Sequence, residues 1–214
     1  MKLLAVGDSF TRGDELTDLT QSWPNLIAQQ LDCELINLGI GGAGNTKILR
    51  NAVENIADCD IVIAAWSHFD RIELADEEGV YELWPGRTNI PFVKSFPWRQ
   101  TVADYNARYH SDTYLYKQYL TNILLFQSLA IAHNKKYLML DAFGNHQSQF
   151  RNAPEFTHLI KQIDIQHFVG WPNESMMEWA DNAEKGPRGH FLELGHKRVA
   201  DKIYEHIRNL GWLP

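Results

Sequence analysis

The sequence predicts an α/β fold built on a mainly parallel sheet, and three observations predict it. Apolar runs without polar alternation recur at residues 3–6, 34–38, 60–65 and 137–140, the habit of strands covered on both faces. Between them the apolar period becomes helical. The first two runs stop at Gly7 and Gly39, where glycine lets a chain turn out of a strand.

The elements follow in chain order. Leu3 to Val6 form the first strand, and Pro24, just after Ser22-Trp23, suits the first turn of a helix carrying Leu26, Ile27 and Leu31. After the second strand Asn45 can cap a helix whose face is Ile48, Leu49, Ala52, Val53 and Ile56. Leu115, Tyr119, Ile123, Phe126 and Ala130 recur at helical intervals over residues 112–133, ahead of the fourth strand. Residues 163–169 are read as a fifth strand. Val199, Ile203, Ile207 and Leu210 line a last helix that Gly211 ends. Strands alternating with helices give right-handed βαβ crossovers. Residues 73–111 break the alternation with Pro85, Pro91 and Pro97 among Trp84, Phe92, Phe96, Trp98, Tyr105 and Tyr109. That stretch is too long for a plain connection. It reads equally as a small second core or as an aromatic wall for substrate, with Trp84 the wall residue.

A chain of 214 residues fits one domain, 1–214, with this insertion inside it. The apolar fraction of 44% and charged fraction of 22% exclude disorder and collagen-like sequence. With 20 Lys and Arg against 27 Asp and Glu, the net charge of −7 lacks the positive field of a nucleic-acid binder. Cys33 and Cys59 show no metal or disulfide spacing and are expected reduced and buried. The N-terminal apolar run is too short for a signal peptide, and no run reaches a membrane span, so a cytoplasmic protein without membrane insertion is expected. The oligomeric state is left open.

Gly7-Asp8-Ser9 stands where the first strand ends, at the sheet edge where α/β proteins form ligand crevices. A serine there can be a nucleophile if a base reaches it. Of the nine histidines, His190 is placed for this, because its loop precedes the last helix and can return to the same edge; His196 is expected to be structural. Ser9 could otherwise merely cap a helix turn. Asp70, Arg71 and Glu73 are read as a structural charge cluster, and Asp141 as either a loop cap or a site residue.

Gly7-Asp8-Ser9, Asn37-Leu38-Gly39-Ile40-Gly41-Gly42 and His190, five residues before Gly195, together resemble three blocks of the SGNH or GDSL hydrolases, in order, over residues 7–200. The resemblance implies a three-layer α/β/α sandwich of flavodoxin-like type with a five-stranded sheet. It also implies a serine esterase that needs no metal or organic cofactor and acts on a small acyl ester, with an O-acetylated carbohydrate preferred. Ser9 would attack, His190 would act as base, and the amides of Ser9 and Gly42 would bind the oxyanion. Asp8, Trp66, His68 and Trp84 are the expected substrate contacts.

Two positions depart from the family pattern. The asparagine of its third block is Phe69 here, so Ser67, ahead of His68, is expected as the third oxyanion donor. The aspartate three residues before the histidine is Pro187. Asp181, ahead of Glu184, is then the expected orienting acid, while a backbone carbonyl would leave a Ser-His dyad. These departures motivate an alternative, a binding or structural module that keeps the scaffold without turnover. Gly39-Ile40-Gly41-Gly42-Ala43-Gly44 also matches a dinucleotide fingerprint, but no acid stands at the end of the next strand, where Trp66-Ser67 fall. A bound nucleotide is therefore not expected.

Overall fold

The strands with the least interrupted apolar sequence occupy the middle of the sheet. In the computed structural model, which describes residues 1–75, 77, 80–83, 104–105, 108–144, 150 and 152–212, β1 (Lys2–Gly7) lies between β2 (Glu34–Gly39) and β3 (Ile61–Trp66). A further strand, Lys136–Asp141, pairs with the other side of β3, and all three pairings are parallel. Gly7 sits opposite Gly39 and Trp66 opposite Asp141, so the strands leave the sheet together at one carboxyl edge.

Successive side chains of a strand point to opposite faces, and the sheet is covered accordingly. Leu3, Ala5, Ile63 and Leu138 pack under α2 (Trp23–Gln30) and the last helix, Glu193–Asn209, through Trp23, Ile27, Val199 and Ile203. Leu4, Val6, Val62, Ala64 and Met139 pack on the other face against Ile48 and Ala52 of α3 (Asn45–Asn55) and against Ile123 and Phe126 of the helix Asp112–Ala132. Fully burying a Leu, Ile or Phe side chain is worth roughly 1.5–3 kcal/mol, so these two cores hold the three layers together. The order with four strands, β2-β1-β3 and then Lys136–Asp141, gives the expected α/β/α architecture. The fifth strand is reduced to a bridge between Met139 and Phe168, made by Met139 N–H to His167 O and Val169 N–H to Met139 O. The residues before it are occupied by turns, with Asp164 capping Gln166 N–H, which keeps them out of a ladder.

The first helix, α1 (Ser9–Arg12), has only one turn, capped by Asp8 and closed by Gly13 at a left-handed φ of 86°. The helix that follows β2 begins one residue earlier than the capping expectation: Gly44 is its N-cap and Asn45 turns its side chain elsewhere. Val53 of that helix is exposed. In the insertion, β4 (Ile72–Ala75) and β5 (Val80–Leu83) form an antiparallel hairpin. Its Glu73 accepts a two-pronged contact from Arg50, and Glu82 accepts from Gly44 N–H at 2.9 Å. Burial, with Glu73 opposite and the Gly44 amide opposing, pushes the Glu82 carboxyl up to about 7. Cys59 is buried as expected, whereas Cys33 is half-buried. Among the described residues no helix is long and apolar enough to cross a membrane.

The turn out of β2 is tight against α1: a Cβ on Gly39 would stand 2.3 Å from Arg12 N and 2.7 Å from Thr11 C. Both are backbone atoms and cannot swing aside. Gly39→Ala should therefore lower stability by about 1–3 kcal/mol, the usual cost of forced overpacking, seen as an earlier urea midpoint. An unchanged midpoint would show that α1 can move.

Candidate active site

Asp8, the first residue beyond β1, is fully buried and gathers three donors. Phe10 N–H donates to one oxygen at 3.0 Å, while the Ser67 hydroxyl at 2.9 Å and Arg71 Nη1 at 3.1 Å donate to the other. Burial pushes the Asp8 carboxyl up, against the pull of Arg71, Ser67 and Phe10. Removing one partner of such a buried pair leaves an uncompensated charge, which is strongly destabilising. The network therefore fixes where Ser9 begins its helical turn.

His190 comes to the same edge from the far end of the chain. Its ring meets the ring of Phe10, the residue after Ser9, with centroids 5.0 Å apart. Its Nδ1 is 2.7 Å from Glu15 Oε2, and the same carboxylate accepts His190 N–H at 3.2 Å and Arg188 N–H at 2.9 Å. Glu15 holds a left-handed φ of 71°, a strained conformation of the kind that persists at sites where the surroundings over-determine it. A Cβ on Gly186 would lie 2.6 Å from the Glu15 carboxyl carbon, so a side chain there would press on the Glu15 carboxylate. Burial would raise the Glu15 carboxyl, but the two amides and the imidazole hold it below its usual 4.5. Arg12 grips the neighbouring Asp14 through Nε and Nη2, the latter at 2.7 Å.

The acid found at His190 Nδ1 is Glu15 rather than the expected Asp181. Asp181 caps the helix Met176–Ala180 at a φ of 38°; among the described residues neither it nor Glu184 is hydrogen-bonded or ion-paired to the His190 ring, whose Nδ1 faces Glu15. An acid so placed holds the imidazole in the tautomer whose Nε2 can accept a proton. Among the described residues, Nε2 of His190 and the Ser9 hydroxyl have no hydrogen-bond partner and are not bonded to each other. Catalytic contacts of this kind commonly tighten only around substrate.

The glycine turn after β2 supplies the other side of the site. Gly42 has a φ of 83° and open space where a side chain would be. The N–H groups of Ser9 and Gly42 donate to no acceptor among the described residues. Gly41 stands against the Arg12 guanidinium and Gly44 against the Arg71 carbonyl, so close approach within the chain accounts for these glycines without a pyrophosphate.

The loop after β3 is clamped by Asn45, which accepts Ser67 N–H at 2.8 Å and donates to the carbonyls of Ser67 at 3.2 Å and His68 at 3.3 Å. The Ser67 hydroxyl is committed to Asp8, which removes it as the expected oxyanion donor. Trp66 is fully buried, edge-on to Phe126, and Asp8 is equally inaccessible. Neither can touch substrate as expected, because the carboxyl edge turns both inward. His68 is half-buried, its Nδ1 2.5 Å from Asp70. Trp84 lies outside the described residues. Arg71 is buried and Asp70 nearly so, which makes them loop anchors; Asp141 is buried and accepts the Tyr119 hydroxyl with both oxygens. His196 is the structural histidine expected: it is buried, its Nδ1 accepts Trp23 N–H at 3.2 Å, and burial followed by the charge of His190 pushes it down to about 3. No group of three or more His, Cys, Asp or Glu among the described residues is placed to hold a metal ion.

The parallel sheet with helices on both faces is a fold shared with solved G-D-S-L esterases. The psychrotrophic esterase EstA from Pseudoalteromonas sp. superposes with a TM-score of 0.56 at 16% identity, over 98% of this chain and 97% of that one. A G-D-S-L family protein from Desulfitobacterium hafniense DCB-2 does so at 0.55 and 14%, over 96% and 98%. The acetyl xylan esterase Est2A from the rumen bacterium Butyrivibrio proteoclasticus does so at 0.53 and 14%, over 99% of this chain and 65% of that one. At these identities the likeness is one of fold. No curated protein matches the sequence. The chain belongs to the family of unknown function DUF6071, whose model matches residues 11–213.

Glu15 escapes a sequence reading because 175 residues separate it from His190. The available signal was an acid pair, Asp14-Glu15, directly behind the serine turn. A carboxyl held low in the folded chain adds stability above its unfolded value of 4.5, lost as pH falls through the lower folded value. Wild type should therefore exceed Glu15→Gln in chemical stability at neutral pH, with the gap closing on acidification. A gap independent of pH would mean that these donors do not hold the carboxylate.

Proposed function

We propose that this protein is a serine ester hydrolase whose catalytic group is Ser9, His190 and Glu15. The observation that carries this reading is the Glu15–His190 contact beside the Gly7-Asp8-Ser9 turn. The serine hydroxyl gives its proton to His190 Nε2 as Oγ bonds to the acyl carbon, and the carbonyl electron pair moves onto oxygen. Glu15 orients the imidazole and stabilises the imidazolium that forms. The N–H groups of Ser9 and Gly42 bind the oxyanion. Collapse expels the alcohol, which takes the proton from His190. Water then attacks the acyl-enzyme, its proton passing to His190, and departure of the acid returns the proton to Ser9.

The substrate is a small acyl ester, and an O-acetylated carbohydrate is the preferred class. Support comes from the fold relatives, which include the acetyl xylan esterase Est2A and a two-domain esterase active on acetylated mannans. The reaction calls for no metal or organic cofactor. The acidic composition supports an enzyme that does not bind nucleic acid.

With p-nitrophenyl acetate, wild type should release p-nitrophenol and Ser9→Ala should not. Glu15→Gln should lower kcat by about 10²-fold or more, the scale of positioned acid–base catalysis, with KM little changed. Asp181→Asn and Glu184→Gln should behave as wild type. Release equal to that of Ser9→Ala in the wild-type protein would instead make the chain a binding module on an esterase scaffold.

A further inference from the structure

We propose that Glu82 is a positioning residue for the Gly42 amide, its carboxyl latching the far end of the glycine turn to the β4–β5 hairpin, an inference that rests on the Ser9 and Gly42 reading above. An oxyanion donor acts only if it is aimed before the charge develops. What holds Gly42 in place therefore bears directly on the rate.

The turn runs from Ile40 to Ala43 and is closed by Ala43 N–H to Ile40 O at 3.1 Å. Gly42 stands in it at a φ of 83°, with no atom within 4 Å of the place a Cβ would take, so the turn must be steadied from its ends. In front, Ile40 N–H donates to Gly7 O at 3.0 Å, which ties the turn to the end of β1. Behind, Gly44 N–H donates to Glu82 Oε2 at 2.9 Å. Gly44 has no side chain with which to cap α3, and Glu82 brings a carboxyl to that helix terminus, where the partial positive charge favours it. The front tie is backbone. The rear tie is a side chain whose charge can change.

The hairpin grips α3 twice. Glu73 and Glu82 stand directly opposite each other across β4 and β5; Glu73 takes Arg50 Nη1 at 3.0 Å and Nη2 at 2.6 Å, while Glu82 takes Gly44. Like charges directly opposite in a strand pair repel, and two carboxyls sharing a site hold one proton between them. The charged groups facing the pair are Lys47 and Arg50 of α3, with Glu54 beyond Arg50. Arg71 presents its carbonyl to Gly44 and its guanidinium to Asp8. Burial, opposed by the Gly44 amide and Lys47 and reinforced by Glu73, raises the Glu82 carboxyl from 4.5 to about 7. A group raised on latching favours the latch fully below its ordinary value, and that contribution is lost as pH climbs through the raised one.

The test compares wild type, Glu82→Ala and Glu82→Gln of the full chain on p-nitrophenyl acetate, with Ser9→Ala as the blank and folding checked by circular dichroism and urea midpoint. The glutamine amide can accept from Gly44 and donate to Glu73, and it does not titrate. Glu82→Ala should lose at least about tenfold in kcat, within the scale of a misplaced catalytic group, with KM little changed, and Glu82→Gln should recover most of that loss. The ratio of wild-type to Glu82→Gln kcat cancels the titration of His190. It should fall as pH rises through about 7. A flat ratio would overturn the proposal, as would an amide no better than alanine, or a folded Glu82→Ala within about threefold of wild type, short of that scale. If Glu82→Ala does not fold, the ratio decides alone. Absence of Ser9-dependent turnover in wild type would overturn the Ser9 reading and the latch with it, and the wild-type rate itself tells that failure from the others.

Discussion

The carboxylate of Glu15 ties the first turn of the protein to its last loop, and the site depends on that tie. Three donors from residues 188–190 converge on one side chain 173 to 175 residues earlier. Each is a charge-assisted bond, stronger than a neutral one. Together they bring the histidine loop over the serine turn, where Glu15 holds a left-handed backbone and Gly186 packs against its side chain. The Phe10 ring completes the junction by stacking on Phe191 at 4.7 Å and meeting His190.

Beneath this junction lies a second constraint of opposite character. Asp8 and Arg71 are both buried, and pairing them recovers only part of what desolvation costs. Their value is positional. Asp8 caps α1 while holding Ser67, and Arg71 reaches across from the loop after β3 to lie 5.0 Å over the Phe143 ring. Serine turn, glycine turn and third loop are thereby locked to each other through Asp8, Asn45 and the Gly44–Arg71 approach. The network that denies Ser67 to the oxyanion is the one that fixes the loop carrying His68.

The sheet and its helices were legible because their signals are local. Unbroken apolar runs mark the four parallel strands, and the 3.6-residue period marks the helix Asp112–Ala132 and the C-terminal end of the last helix to within a residue. Ser9, Gly42 and His190 were legible as candidates because each stands where an element begins or ends at the carboxyl edge. The edge strand at 163–169 was misread, since apolar content alone does not show that Asp164 and Gln166 prefer a turn. The acid beside His190 escaped the sequence for a different reason. Asp181 and Glu184 are near His190 along the chain, whereas Glu15 is near it only after the sheet has folded. Trp66 and Ser67 follow the same rule: a position at the strand end does not reveal which way the side chain turns.

Covalent capture tests the central claim, that Glu15 and His190 together activate Ser9, without requiring the natural ester. A phosphonate suits this, because its tetrahedral phosphorus resembles the intermediate of attack on an ester. The chain would be treated with an activated ethylphosphonate ester, and the adduct located and timed by mass spectrometry in wild type, Glu15→Gln and Asp181→Asn. The account predicts one adduct per chain, on Ser9, forming much more slowly in Glu15→Gln and at the wild-type rate in Asp181→Asn. An adduct on another residue, no adduct, or equal rates in wild type and Glu15→Gln would contradict it.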